Sequence, residues 1–155
     1  MTEQKQGTND LETRIGAHPF VCPLSEEARK LLTQGAREEV FEANQVMIRA
    51  GQPANSMYLI DSGKVAIEAP RQGGASRVLQ IIDGGSVFGW SWLYAPFTWR
   101  LQVRAVERTR VIRLDGGHIL AACEADRGLG YQIMKRVSQV MIERLHAAAS
   151  QKQAS

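Results

Sequence analysis

The 155-residue chain predicts a mainly β domain, an antiparallel barrel or jelly roll, with helices on both sides. Three observations predict this. From about Glu38 to Leu114, short runs rich in Val and Ile alternate with clusters of Gly, Pro, Asn and Asp, the rhythm of many short strands joined by tight turns. Ahead of that region, Ser25 is followed by Glu26, Glu27, Leu31 and Leu32, a helix-start pattern. Behind it, apolar residues recur at spacings of three and four, the helical period.

In chain order, residues 1–9 are polar without an apolar period and read as a flexible tail. A first helical region covers Leu11 to Ala17, and Pro19 and Pro23 separate it from the helix starting at Ser25. The strand runs are EVFEA, QVMIRA, SMYLIDSG, KVAIEAP, RVLQII, LQVRAVE and TRVIRL. Turn signals stand at Gly51 to Asn55, Ser62 to Lys64, Gln72 to Ala75 and Asp83 to Ser86. Asp115 is an N-cap candidate for a short helix from His118 to Ala125, and Asp126 to Gly130 marks a joint before a longer helix ending near Ala149. The expected division is a tail at 1–9, a β-domain with short flanking helices at 10–126, an amphipathic helix at 127–149 and a frayed tail at 150–155.

In the last helix Ile133, Val137, Val140, Met141 and Leu145 form one stripe, which Lys135, Arg136, Glu143 and Arg144 avoid. The stripe is wide enough to serve as the dimer interface of a homodimer, packing on its twin, or to lie on the chain's own β-domain.

Composition narrows the function. No run approaches the ~18 apolar residues of a membrane span, and MTEQKQGTNDLETR lacks the apolar stretch of a secretory signal, so the expectation is a cytoplasmic protein without membrane attachment. Nineteen Lys and Arg against sixteen Asp and Glu leave +3, too weak an excess to hold many phosphates. Cys22 and Cys123 have no metal-ligand spacing and read as free thiols. His18, His118 and His146 are scattered and read as surface or capping residues, and Gly73, Gly84 and Gly116 read as turn residues. No nucleophile, base, paired carboxylates or metal cluster assembles, so neither an enzyme nor a metal site is expected.

The main anomaly is aromatic. Phe88, Trp90, Trp92, Tyr94, Phe97 and Trp99 place six of ten aromatic residues within twelve positions. Such a segment can be a local aromatic minicore, a largely apolar ligand pocket or a partner-binding surface.

GQPANSMYLIDSGKVAI (Gly51 to Ile67), GGSVFG (Gly84 to Gly89) and VRAVERTRVIRLD (Val103 to Asp115) resemble the cyclic-nucleotide-binding domain family, the sensor module of cyclic-AMP receptor proteins and protein kinase A regulatory subunits. HPF at His18 to Phe20 is similar to the family's lead-in, and the resemblance covers about residues 11–149. It implies an eight-stranded β-roll with Gly51 and Gly63 as turn glycines, and a phosphate-binding cassette at Gly84 to Arg104. In that cassette the family has a Glu directly after the glycine equivalent to Gly89, for the ribose hydroxyl, and an Arg farther on for the phosphate. Here Trp90 stands at the Glu position. The Arg position falls on Trp99 when counted as in the kinase-type cassette, or on Arg100 as in the receptor type. An indole has one N–H and no acceptor, so it replaces neither group. The expected ligand-binding residues are therefore Phe88, Gly89, Trp90, Ser91, Trp92, Trp99 and Arg100, for a cyclic nucleotide held without tight binding or for another small molecule, flat or apolar with one negative group near Arg100; no cofactor is otherwise expected.

The family's transcription factors continue past the long helix into a helix-turn-helix module. With Ser155 as the last residue no such module is expected, so DNA binding by this chain is not expected and output passes to an effector protein. The sequence thus reads as a noncatalytic sensor. The alternative is a constitutive protein-protein adaptor whose pocket is filled by its own tryptophans.

Overall fold

The computed structural model describes the backbone of residues 2–154 and the side chains of residues 10–150. Helices α1 (Thr2–Ala17) and α2 (Glu26–Thr33) precede eight strands: β1 (Arg37–Phe41), β2 (Val46–Ile48), β3 (Ser56–Ser62), β4 (Lys64–Ala69), β5 (Arg77–Asp83), β6 (Val87–Phe88), β7 (Gln102–Ala105) and β8 (Thr109–Asp115). Helices α3 (Gly116–Ala125) and α4 (Arg127–Ala154) close the chain. The strands form two four-stranded sheets, ordered β1-β8-β3-β6 and β2-β7-β4-β5, with all pairings antiparallel. This is the β-roll the sequence predicts.

Side-chain alternation along the central strands builds two cores, because successive residues of a strand point to opposite faces. Met57 and Leu59 of β3, Val87 of β6, and Ile112 and Leu114 of β8 pack against the helices with Ile15, Phe20, Leu32, Ile119, Ile133 and Val137. Tyr58 and Ile60, Phe88 and Val111 point the other way and meet Ile48, Val65, Ile67, Ile82 and Val103 of the second sheet. β3 is thus buried on both faces over Ser56–Ile60, which explains its continuous apolar run. The β3–β4 turn requires Gly63: its φ is 106°, and a Cβ would stand 2.6 Å from the Thr109 Cα.

Local signals set the element ends. The Ser25 side chain accepts from the Ala28 N–H, and Asp115 from the His118 N–H. One strand is added and three expectations are corrected. β6 pairs only Tyr58↔Phe88 and Leu59↔Val87, a strand too short to leave a periodic signal. The joint before α4 is Asp126 alone, whose carboxylate accepts from the Leu129 N–H. Gly130 lies inside the helix, where a Cβ would stand 2.7 Å from the Cys123 carbonyl oxygen, so this glycine lets α3 and α4 approach. Gly116 opens α3 rather than making a turn. Finally, α1 begins at Thr2 and α4 continues to Ala154, into segments expected to be a flexible and a frayed tail; Glu, Gln and Lys are good helix formers and prolong a helix without an apolar stripe. Met1 and Ser155, in the same two tails, lie outside the described residues.

Helix α4 is tied to the body by polar contacts. The Ser25 N–H donates to Gln132 Oε1 at 2.8 Å. Arg136 donates to the Phe20 and Pro19 carbonyls at 2.8 and 2.7 Å, to Gln139 at 2.9 Å, and lies 5.4 Å over the Phe20 ring. Farther along, Arg144 donates to the Val87 carbonyl. These ties carry α4 across the end of the β-roll beside the aromatic segment.

Candidate functional site

The aromatic segment begins where β6 ends. Gly89 turns the chain with φ of 96°, and a Cβ there would stand 3.1 Å from the Ser56 carbonyl oxygen and 3.2 Å from the Trp99 ring. A single 3₁₀ turn, Ser91–Leu93, follows Trp90. The far half of the segment is bonded to the loop after β2. The Gly51 N–H donates to the Trp99 carbonyl at 2.7 Å, the Trp99 N–H to Gln52 at 2.9 Å, and the Ala54 N–H to Phe97 at 2.7 Å.

Between this segment, strands of the second sheet and α4 lies a cavity of about 470 Å³, within the ~300–1,000 Å³ range of small-molecule sites. Ile48, Ile67, Leu79, Phe88, Trp99 and Leu101 make an apolar wall, and Met141, Leu145 and Ala148 of α4 form the opposite side. Tyr58 stacks on Phe88 from behind, with ring centroids 5.0 Å apart. Gln80, Ser91 and Tyr94 supply the neutral polar side chains of the lining, and Arg100 and Arg144 its charges; no carboxylate is among the lining residues. Arg100 is exposed at the rim, whereas Arg144 is half-buried and desolvation makes its guanidinium less basic than usual.

Phe88, Gly89, Trp90, Ser91, Trp99 and Arg100, all picked out from the sequence, converge on this cavity. Trp92 does not. It is 2% exposed within the helix-facing core, and its Nε1–H donates to the Gly89 carbonyl at 2.7 Å. Trp90, just before the turn, is partly exposed, with its ring 6.2 Å from that of Phe20 at the edge of the same core, whereas the turn at Ser91–Leu93 carries Trp92 fully inside it.

The apolar stripe of α4 also divides. Ile133 and Val137 are 0% and 2% exposed, and Val140 packs beside them, all on the chain's own helix-facing core. Ile133 and Val137 therefore offer no surface to a twin helix, and the expected dimer interface is corrected at these positions. Met141 and Leu145 line the cavity instead. Arg144, expected on the solvent side, joins them, because Met141, Arg144, Leu145 and Ala148 follow at i, i+3, i+4 and i+7 and so share one face.

The sequence reading missed the contributions of β2, β4 and β5, namely Ile48, Ile67, Leu79 and Gln80. Their alternation marks them as strand residues, but only the sheet order brings them beside the aromatic segment. His18 is buried, 6% exposed, and not a surface or capping residue. Its Nδ1 accepts from the Phe20 N–H at 3.1 Å and its Nε2 lies 3.2 Å from the Ile60 carbonyl oxygen. Neither it, His118 nor His146 lines the cavity.

Comparison with known proteins agrees with this architecture. The model of the cyclic nucleotide-binding domain matches residues 38–126, more than half of the sequence, and the chain belongs to that family. Among sequence relatives, an uncharacterized NTE family protein of Mycobacterium tuberculosis is 31% identical over 67 residues, 43% of this chain and 11% of that protein. A protein named as a potassium channel in Rhodopseudomonas palustris is 30% identical over 93 residues, 60% of this chain and 22% of that one. The chain thus spans about a tenth to a fifth of the length of these relatives. Among solved structures, a protein of Geobacter metallireducens named as a cyclic nucleotide-binding protein superposes with a TM-score of 0.76 at 23% identity, over 86% of this chain and 97% of that one. The sensor domain of the transcriptional regulator DNR from Pseudomonas aeruginosa gives 0.71 at 17% identity, over 91% and 95%. The regulatory subunit of a cAMP-independent protein kinase A from Trypanosoma brucei gives 0.65 at 20% identity, over 82% and 45%. These likenesses are of fold. Among the described residues, no helix is long and apolar enough to cross a membrane.

Proposed function

We propose that the chain is a noncatalytic sensory domain that takes a flat or apolar small molecule into the cavity between the β-roll and α4 and passes its occupancy to a partner protein through the placement of α4. The observation that carries this reading is the cavity itself, about 470 Å³ with a mostly aromatic and aliphatic wall. Trp90 lines it at the position where the family resemblance calls for a ribose-binding carboxylate. Because the far part of α4 lines the cavity and, beyond the buried Ile133 and Val137, is tied to the body by the Arg144 contact to Val87, a ligand that contacts Met141 or Leu145 in one position of that part and not another shifts the balance between them.

Titration calorimetry with cyclic AMP and cyclic GMP tests the reading. With Trp90 in place of the ribose-binding carboxylate and, on the kinase-type count, Trp99 in place of the phosphate arginine, two charge-assisted contacts at roughly 1.5 to 3 kcal/mol each are lost. Uncompensated, this weakens a cyclic nucleotide by about two to four orders of magnitude, so no submicromolar binding is expected. Submicromolar affinity for either nucleotide, abolished by Arg100→Ala, overturns it. The adaptor reading is less favoured, because Trp90 and Trp99 border the space rather than occupying it and Trp92 lies elsewhere.

A further inference from the structure

The half-buried arginines differ in how they are satisfied; Arg29 on α2, away from the cavity, keeps a buried Nε without a partner among the described residues. Arg14 donates to Glu38 at 2.9 Å and to Asp61, Arg104 sits 3.3 Å from Glu68, and Arg113 lies 3.2 Å from Glu39. Arg136 has no acidic partner among the described residues but donates to three oxygens and covers an aromatic ring. Arg144 donates to one protein oxygen among the described residues, the Val87 carbonyl, although a guanidinium carries five N–H donors. It lines the cavity, whose lining includes a second arginine and no acid, and also an adjoining groove that holds Asp83 and Glu143, neither of which forms an ion pair with it among the described residues. A cation partly removed from water without a counter-ion is costly, and an anion in the adjoining space relieves that cost.

The rest of the wall limits what kind of anion fits. Gln80, Ser91 and Tyr94 are the neutral polar side chains available, too few to replace the water lost by a sugar's hydroxyls. A carboxylate needs only the two parallel donors of a guanidinium fork, and an alkyl or aryl body is matched by Ile48, Ile67, Leu79 and Leu101.

We propose that the cavity's ligand is an amphipathic carboxylate, an apolar chain or ring with one carboxylate group, and that Arg144 of α4 holds the carboxylate. The inference rests on the cavity being a ligand site, as proposed above, and adds the ligand's class and its anchoring residue. Arg100, exposed at the rim, attracts the anion without fixing it. With Arg144 engaged by the ligand as well as by Val87, the same residue joins site occupancy to the seating of α4.

Decanoate and decan-1-ol, alike in chain length and different in charge, test this on the full chain, with tryptophan fluorescence as the readout below the micellar range. Wild-type protein is expected to bind decanoate about 10- to 100-fold more tightly than decanol, the equivalent of one charge-assisted contact. Arg144→Gln should remove most of that preference, read as the ratio of the two affinities in the same variant so that any general loosening of α4 cancels, with far-UV circular dichroism confirming the fold. Equal affinities of wild-type protein for the two probes overturn the carboxylate proposal alone and need no variant. A preference unchanged by Arg144→Gln overturns the assignment of Arg144. Absence of binding by both probes overturns the apolar-ligand reading itself, and with it this one.

Discussion

Gly116 and Trp92 share a space that admits no Cβ. A methyl group on Gly116 would stand 2.6 Å from Trp92 Cγ and 2.8 Å from Cδ2, well inside van der Waals contact. The indole cannot retreat easily, since it is 2% exposed and its Nε1–H is held by Gly89. The first turn of α3 is thereby seated directly on the aromatic segment. Gly116→Ala is expected to destabilise the fold by about 1–3 kcal/mol through overpacking, despite alanine's better helix propensity. Gly117→Ala is the control. The nearest atom to its Cβ would be Asp115 Oδ1 at 3.6 Å, so this change should be neutral or stabilising by up to about 1 kcal/mol. Urea unfolding of the two variants checks the contrast.

His18 should make stability depend on pH. Burial pushes its imidazole below the ordinary 6.5, and the positive Arg136 adds to this, while the Ile60 and Ser86 backbone and the Asp61 charge favour the protonated ring without reversing the direction. Nδ1 faces the Phe20 N–H donor, so the neutral ring, protonated at Nε2 toward the Ile60 carbonyl, satisfies both nitrogens. The unfolded chain therefore binds the proton more readily than the folded one. The contribution is fully present above about pH 6.5 and falls away as the pH drops below that value. Unfolding free energies between pH 7.5 and 5 should decline, and His18→Gln should flatten that part of the decline.

The two halves of the α4 stripe should respond differently to truncation. Ile133 is fully buried, so Ile133→Ala should cost about 2–5 kcal/mol as a cavity in the helix-facing core. Leu145 is 68% exposed, and Leu145→Ala should change stability by less than about 0.5 kcal/mol. Thermal unfolding of both variants distinguishes this from a stripe that serves only a second copy, in which both changes would act alike on dimer stability.

The fold is read well from the sequence because its signals are local. The apolar runs SMYLIDSG and TRVIRL, the Ser25 and Asp115 caps, and glycines at turns such as Gly63 each act within a few residues. The cavity is only half legible. The aromatic cluster concentrates Trp90 and Trp99 in one segment, but composition does not reveal which side of a 3₁₀ turn each side chain takes, and Trp92 goes to the core. The α4 stripe is visible as a period, yet a helix longer than the core it covers changes neighbours along its length, from Leu32 and Ile119 near Ile133 to the aromatic segment near Met141. The strand residues Ile48, Ile67 and Leu79 reach the cavity through sheet order, which no local pattern encodes. Arg144 reads as solvent-facing because charge is taken as a mark of exposure, whereas a long side chain can bury its stem and turn its head to a carbonyl.

The different placements of the three tryptophans yield a last prediction. Trp90 and Trp99 are partly exposed and line the cavity, while Trp92 is buried among Phe20, Met57 and Ile119 of the helix-facing core. Iodide, a charged aqueous quencher, should reach the first two and not the third. A chain carrying both Trp90→Phe and Trp99→Phe should therefore emit at shorter wavelength than wild type, resist iodide and fail to report ligands. Trp92→Phe should do the reverse, leaving a signal that is quenchable and sensitive to occupancy. It should also lower stability by about 1–3 kcal/mol, because the Gly89 carbonyl loses its indole donor and phenylalanine leaves part of the space unfilled. Iodide quenching that removes the Trp92 signal as readily as the others would show that the 3₁₀ turn does not direct this indole into the core, and would reopen the assignment of cavity residues from Trp90 onward.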